Sequence, residues 1–426
     1  MSGAEQRLRD AIAKHRAGDH AAAEAGYREH LLEFPNDPSG LHFLGLLRTH
    51  QDRHEEAIKL IVAALEADRE YVDAWSNLSV AYFQKRDLDR AELCARKAIE
   101  LAPQFANAWA NLGMILRARN SMEDALVAWG RALELQPGMR NVAISYGHLL
   151  YRLDRLPEAL EFYGRWQVAS PDDPIPAHML AALGGAERPL RASDGYVRAT
   201  FDDFAECFDR NLQELGYRAP QLLFDAVAQS GGLSQAQGLD VLDIGCGTGL
   251  CGPLWRPLAR RLVGVDLSPN MLSKAAARAV YDQLNCAELT QWLATCGQQF
   301  DLGIAADVLC YFGDLSIALL HLKTALLPGG CFAFSLEALS EGSVAGVSDR
   351  PAAAAANGLS DKALAREPFA LRPHGRYQHA RGYVEETMAT AGLIPISIAN
   401  AVLRYERQEP VVGLVIVAKR PNADCG

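Results

Sequence analysis

Apolar and polar positions in the first part of the chain recur with a step of 34 residues. Alanines stand at 23, 57, 91, 125 and 159, and prolines at 35, 103, 137 and 171, with Arg69 at the step that lacks one. Trp75 and Trp109 share one register, Gly45, Ser79, Gly113 and Gly147 another, and Tyr82 and Leu116 follow the tryptophans at equal distance. A period of this length predicts stacked helical hairpins. Small residues such as Gly113 and Ala125 let two helices approach, large ones fill the space between hairpins, and proline ends each second helix. Five repeats across residues 4–173, the first degenerate, give an array over 1–180.

The pattern changes after Pro171-Asp-Asp-Pro-Ile-Pro176 and Leu183-Gly-Gly-Ala-Glu-Arg-Pro189, which read as a capping helix and a linker over 181–199. Residues 201–208 and 219–228 read as helices. Strand signals at 239–244, 262–266, 284–287, 300–305 and 331–336 then alternate with helical stretches, the signature of a parallel sheet wrapped by helices. The last two strands, 394–403 and 411–418, are joined too briefly for a parallel crossover and form an antiparallel hairpin. Residues 338–381 read as a lid or insertion, with small residues throughout 342–358.

Composition narrows the function classes. The 426 residues predict more than one core, and the net charge of −10 is shared equally by residues 1–180 and 181–426. No basic patch favours nucleic acid. Nine cysteines lack paired or metal-ligand spacing, so reduced thiols and no metal are expected. No signal-peptide core or membrane-length apolar run is read, which points to a cytoplasmic protein without membrane insertion.

The candidate chemistry begins at Val241-Leu-Asp-Ile-Gly-Cys-Gly-Thr-Gly-Leu-Cys-Gly252. Residues 247–252 satisfy the dinucleotide pattern G-x-G-x-x-G, but Asp243 argues against a pyrophosphate at the following helix start. An acidic loop suits a nucleoside bearing positive charge, and S-adenosylmethionine carries a sulfonium and an ammonium. On these motifs, with Asp266 closing the second strand and the terminal hairpin, residues 200–426 resemble a class I S-adenosylmethionine-dependent methyltransferase. Residues 1–180, with Trp109-x-x-Leu112-Gly113, Ala125, Trp129, Ala132 and Pro137, resemble tetratricopeptide repeats. The expected fold class is an all-α tetratricopeptide solenoid followed by an α/β Rossmann-like domain with a C-terminal antiparallel hairpin.

The resemblance implies that Asp243, Gly245, Cys246, Gly247 and Gly249 form the cofactor turn. Asp266 takes the ribose hydroxyls, and Leu267 and Met271 flank the adenine. Glu288, beside Leu289, either bonds the adenine amino group or is simply solvated. Asp307 either faces the methionine portion or caps a helix. Phe201, Phe204 and Tyr217 close over the cofactor, or the phenylalanines pack a helix core. In Pro373-His-Gly-Arg-Tyr-Gln-His-Ala-Arg-Gly-Tyr383, His379 is a candidate base with Tyr377. Arg376, Tyr311 and Tyr217 are candidate acceptor contacts. The bland reading packs Tyr377 and His379 against the next helix. This segment, with Phe201-Asp-x-Phe-Ala-x-x-Phe-Asp209 and Leu215-Gly-Tyr-Arg-Ala-Pro220, resembles bacterial predicted methyltransferases bearing tetratricopeptide repeats.

Three functional readings stay open. In one, the repeat groove recruits a protein or peptide that is methylated. In another, a small molecule is methylated and the repeats serve assembly, including oligomer formation. In the third, the chain is a scaffold whose domain binds cofactor without catalysis.

Overall fold

A computed structural model describes residues 3–231, 238–339, 367–406 and 409–422. The 342–358 stretch of the expected lid lies outside the described residues. The chain divides into two compact units, Met1–Arg155 and Leu156–Gly426.

The first unit is all helix. It runs α1 (Gly3–Arg16), α2 (His20–Glu33), α3 (Pro38–His50), α4 (His54–Ala67), α5 (Val72–Gln84), α6 (Leu88–Leu101), α7 (Ala106–Ala118), α8 (Met122–Leu135) and α9 (Arg140–Arg152). Helix starts 38, 72, 106 and 140 keep the sequence period. Ala23, Ala57, Ala91 and Ala125 have no exposed surface, so neighbouring helices sit close. A methyl on Gly113 would collide with the Trp129 indole, which explains the small residue there. The turn inside each hairpin contains one left-handed residue, at Gly18, Asp52, Arg86, Asn120 and Asp154. Only the first of these is the glycine that such backbone favours. Trp75 and Trp109 are half-buried, and their indole N–H groups donate to the Arg69 and Pro103 carbonyls, 2.9 Å away in both cases. The proline-deficient step therefore keeps the same backbone contact.

The second unit begins with α10 (Leu156–Ala169) and α11 (Pro174–Ala182), which carry the period onward, followed by α12 (Asp194–Phe204), α13 (Phe208–Glu214) and α14 (Ala219–Gln229). The stretch read as a linker, 181–199, is packed. Leu183, Ala192 and Tyr196 are buried. The segment pairs with residues 311–313, Ala192 N–H donating to the Tyr311 carbonyl at 2.8 Å and Gly313 N–H to the Leu190 carbonyl at 2.8 Å. Backbone groups buried there need partners, and this segment supplies them.

Parallel strands β1 (Leu239–Ile244), β2 (Ala259–Asp266), β3 (Gln283–Cys286), β4 (Phe300–Ala305) and β5 (Leu326–Ala338) follow. Three strands, β6 (Phe369–Leu371), β7 (Tyr377–His379) and β8 (Ile394–Glu406), precede the last, β9 (Glu409–Lys419). Among the described residues the sheet order is β3-β2-β1-β4-β5-β7-β6, with β9 antiparallel to both β5 and β8. Every residue of β1 is buried because both faces are covered. One face packs under α17 (Leu289–Thr295), α18 (Ser316–Ala325) and α19 (Arg381–Ala391), the other under α14 and α15 (Gly252–Trp255). The hairpin β6–β7, which lies within the stretch read as an insertion, was not foreseen. Its turn is closed by Gly375 in left-handed conformation and Arg372 N–H donating to the Arg376 carbonyl at 2.9 Å. No helix among the described residues is long and apolar enough to cross a membrane.

Candidate functional site

A cavity of about 350 Å³ opens at the carboxyl ends of β1, β2 and β4, with α12 and α13 forming its other wall. In an open parallel sheet this edge is where ligands bind, because loops there converge from strands running the same way. Gly245, Cys246 and Gly247 line it. Gly245, Gly247 and Gly249 all have positive φ, the conformation that turns a strand directly into a loop. A Cβ on Gly245 would strike Val308, and one on Gly249 would come within 2.9 Å of Tyr281. On Gly247 it would meet only Phe208, at 3.9 Å, so the space before that residue is open. Gly249 shapes the turn from behind and is absent from the wall.

Asp266 lies on the wall at the end of β2. Its two oxygens accept Ser268 N–H and Gly247 N–H, each at 2.8 Å, and burial raises its pKa against those bonds. Each oxygen keeps a lone pair for a ligand hydroxyl. Ser268 caps α16 (Pro269–Ala277) by accepting Met271 N–H at 3.1 Å. Leu267, Leu289 and Glu288 share the wall. Glu288 caps α17, taking Thr290 N–H at 3.1 Å and Gln291 N–H at 2.8 Å, with Arg191 3.4 Å away. Its carboxyl sits below the usual range because these bonds and Arg191 outweigh burial. Phe201, Phe204 and Phe208 of the α12–α13 wall face the cavity, and Phe201 packs edge-on against Tyr311 at 5.5 Å. Asp209 ties this wall to the glycine turn through Thr248 Oγ1 and Arg278.

Beyond β4, Asp307, Tyr311, Tyr217, Arg376 and Arg404 complete the lining. Asp307 has φ of 56°, unusual for a residue with a side chain and costly unless its surroundings enforce it. They do: Ser335 Oγ donates to its Oδ1 at 2.9 Å and Arg404 Nη1 to its Oδ2 at 2.7 Å. Burial raises its pKa, with Arg404 opposing. Arg404 also donates to Glu337 and, from Nε at 2.8 Å, to Glu406. Arg376 donates from Nε to Glu337 at 2.6 Å and from Nη2 to Glu406. Burial alone would raise both glutamates, but the two guanidiniums override it, holding Glu337 well below the usual range and Glu406 at about 2.

Several expectations are corrected. His379 is fully buried and off the cavity wall; its Nε2 lies 2.8 Å from the Phe312 carbonyl and 3.2 Å from that of Gly313. A nitrogen facing two carbonyls carries the proton, so this ring fastens β7 to that loop and is not placed to take a proton from an acceptor. Tyr377 is equally buried, its hydroxyl donating to the Pro189 carbonyl at 2.7 Å. Met271 has no exposed surface and is not part of the cavity wall. Asp243 lies under the turn rather than on it, accepting the Tyr281 hydroxyl at 2.6 Å. Burial pushes its pKa up to about 7 against that bond. The acids on the cavity wall are therefore Asp194, Asp266, Glu288 and Asp307, and it is they, not Asp243, that would oppose a diphosphate.

Arg404, Arg191 and Phe208 were missed. The apolar pattern places the strand end at 403 and Arg404 in the connection, whereas β8 runs through Glu406. A lone arginine following Ala-Val-Leu in a strand was the available signal. Among the described residues no group of three His, Cys, Asp or Glu side chains could hold a metal ion.

A tight glycine turn, a buried carboxylate at the end of β2 and an apolar sleeve give this α/β domain a cavity suited to a nucleoside. Residues 242–332 match a family model described as a methyltransferase domain, and residues 44–104 and 81–140 match one described as a tetratricopeptide repeat. The chain thus carries a methyltransferase domain of the S-adenosylmethionine-using type together with tetratricopeptide repeats. It is similar to a malonyl-[acyl-carrier protein] O-methyltransferase of Yersinia pestis, 32% identical over 38% of this chain and 56% of that protein. It is also similar to a ubiquinone biosynthesis O-methyltransferase of Chelativorans sp., 28% identical over 44% of this chain and 74% of that protein. A solved magnesium protoporphyrin IX methyltransferase from Synechocystis aligns at 20% identity and a TM-score of 0.38, covering 53% of this chain and 99% of that one. The chain spans little more than half the length of the first of these relatives.

The wall fits that cofactor. The Gly247 face leaves room for a ligand, Asp266 presents acceptors to vicinal hydroxyls, and Leu267 and Leu289 offer apolar faces to a base. The wall acids suit a ligand of net positive charge.

Proposed function

We propose that this chain transfers a methyl group from S-adenosylmethionine to an acceptor seated beside Asp307 and Tyr311, and that its repeat array recruits the protein presenting that acceptor. The reading is carried by one observation: the glycine turn with Asp266 shares a single cavity with the Asp307–Tyr311 edge, so a nucleoside and an acceptor can meet there. The cofactor supplies a methyl group already activated on a sulfonium. The chain's own residues bind and orient. Gly245 and Gly247 place backbone against the ligand, Asp266 takes ribose hydroxyls, and Leu267 and Leu289 hold the base. Phe201 and Phe208 keep water out, which matters because displacement at a methyl group depends on alignment and dryness more than on acid–base help. Asp307, held by Arg404 and Ser335, shapes the acceptor side.

Tetratricopeptide arrays present extended surfaces to proteins, which supports the recruiting role. A second reading, a small acceptor with the repeats serving assembly, is favoured by the modest, sleeve-like cavity, whose size suits a small ligand. Incubating the full-length protein and cell extract with methyl-labelled S-adenosylmethionine tests both. Label in macromolecules supports recruitment of a protein substrate, and label in the small-molecule fraction supports the second reading. Label in neither would leave a cofactor-binding scaffold and defeat the enzymatic proposal.

A further inference from the structure

We infer that Arg376 is a carboxylate-recognition residue at the far end of the cavity. The inference rests on the methyl-transfer reading for the identity of the donor. The β6–β7 hairpin presents this side chain from its turn, and the turn is pinned from outside the sheet. His178 Nε2 lies 2.9 Å from the Gly375 carbonyl, and the Tyr196 ring stacks on His178 at 3.7 Å. Tyr196 also closes against Gly375, where any side chain would collide with its hydroxyl. The hairpin is three residues deep on each side, and its turn delivers the guanidinium to the wall.

The guanidinium is half spent. Its Nε and Nη2 are given to Glu337 and Glu406, which fixes its plane, while Nη1 has no hydrogen-bond partner among the described residues. Its neighbour Arg404 differs: all three of its nitrogens are taken, by Asp307, Glu337 and Glu406. Arg191 gives Nη1 alone, to Asp194 at 2.7 Å and toward Glu288 at 3.4 Å, and its 41% exposed side chain leaves the plane of its other nitrogens unfixed. Of the three arginines on the wall, Arg376 therefore keeps an unused donor whose plane two carboxylates fix. The three acids of the cluster exceed its two arginines by one charge, so Arg376 acts through a directed hydrogen bond rather than through a bulk positive field. An oriented, desolvated guanidinium donor suits a planar anionic acceptor, and carboxylate is the group that matches it best.

The carboxylate has two sources, the methionine end of the donor or the acceptor itself. Sheet order favours the acceptor. Asp266 ends β2, while Glu337, which holds Arg376, lies near the end of β5, three strand positions away. That is about 14 Å across the sheet at the usual strand spacing, past the β1 and β4 ends where the amino-acid portion of the donor would lie.

Calorimetry on the full chain separates these. One arm compares S-adenosylhomocysteine with its decarboxylated analogue; the other compares phenylacetate with phenylacetamide on protein saturated with S-adenosylhomocysteine. In the wild type, loss of the carboxylate should weaken binding on the order of tenfold in one arm. In Arg376→Gln that preference should fall below about twofold, and Arg376→Lys should lie between. A preference in the first arm names the donor carboxylate, and one in the second names the acceptor. No preference in either arm, or a preference unchanged in Arg376→Gln, overturns the inference. If neither variant folds, a wild-type crystal soaked with the preferred carboxylate decides: density placing it away from Arg376 Nη1 is equally fatal. Failure of the wild type to bind S-adenosylhomocysteine at all would instead sink the methyl-transfer reading.

Discussion

In the repeat unit the residues without exposed surface are mostly alanines recurring every 34 positions, whereas the buried residues around the cavity of the second unit include Asp243, Glu337, Arg404 and His379. Each alanine lets two sequence-adjacent helices touch, and its contribution is small and local. The charged cluster joins residues from three strand ends and a hairpin turn, and none of its members is satisfied without the others. Left-handed residues differ in the same way. In the repeats they sit in turns where aspartate, arginine and asparagine are accommodated. At the cavity three are glycines, because a Cβ on Gly245 or Gly249 would run into Val308 or Tyr281, and the non-glycine one, Asp307, is held by Ser335 and Arg404. A periodic stack tolerates variation at each step, while a single convergent site does not.

The sharpest way to break this contrast is Arg404→Met. It leaves Asp307 and Glu337 buried without their shared cation and should destabilise the second unit by about 3–5 kcal/mol in denaturant titration. A loss below 1 kcal/mol would mean that the cluster is not interdependent. In the repeat unit Gly113→Ala places a methyl against Trp129 and should cost about 1–3 kcal/mol. The damage should be confined to protection of α7 and α8 in hydrogen exchange.

His379→Ala should also lower stability by about 1–3 kcal/mol, since it strands two buried carbonyls. Methyl-transfer kcat of the folded fraction should stay within about threefold of wild type, because the ring does not face the cavity. A thousandfold loss of kcat with intact folding would restore it as a base.

Asp243 gives a pH test. Its carboxyl is raised from about 3.8 to about 7, so the stability it supports is complete at low pH and is lost as pH rises through 7. Between those two values the decline should run at on the order of 1.4 kcal/mol for each step of one in pH. Asp243→Asn should flatten it in melts recorded from pH 5 to 8. The repeat unit should show no matching change.

The smallest effect belongs to Arg86→Gly. Relief of left-handed strain offsets the extra freedom of the unfolded chain, so the stability change should stay within about 1 kcal/mol.

The repeats were legible because their contacts are local: a residue and its partner lie within one 34-residue period, so the spacing of Ala57, Ala91 and Ala125 already describes which helices touch. The glycine turn was legible for the same reason, since β1, its turn and Asp266 lie within one βαβ unit. The role of His379 was not. Whether a histidine faces a cavity or a pair of carbonyls depends on residues 312–313, far away in the chain, and on which side of β7 the ring leaves.

By itself the sequence determined the class of both units, the strand-turn-acid arrangement of the nucleoside site and the closing hairpin, because period, glycine placement and connection length act over short distances. Only the tertiary structure decided that Asp243 lies under the turn, that Arg404 is enclosed by three acids and that Arg376 keeps a free donor over the cavity. Those facts depend on desolvation and on hydrogen-bond partners brought together from separate strand ends, and neither quantity is written in the local order of residues.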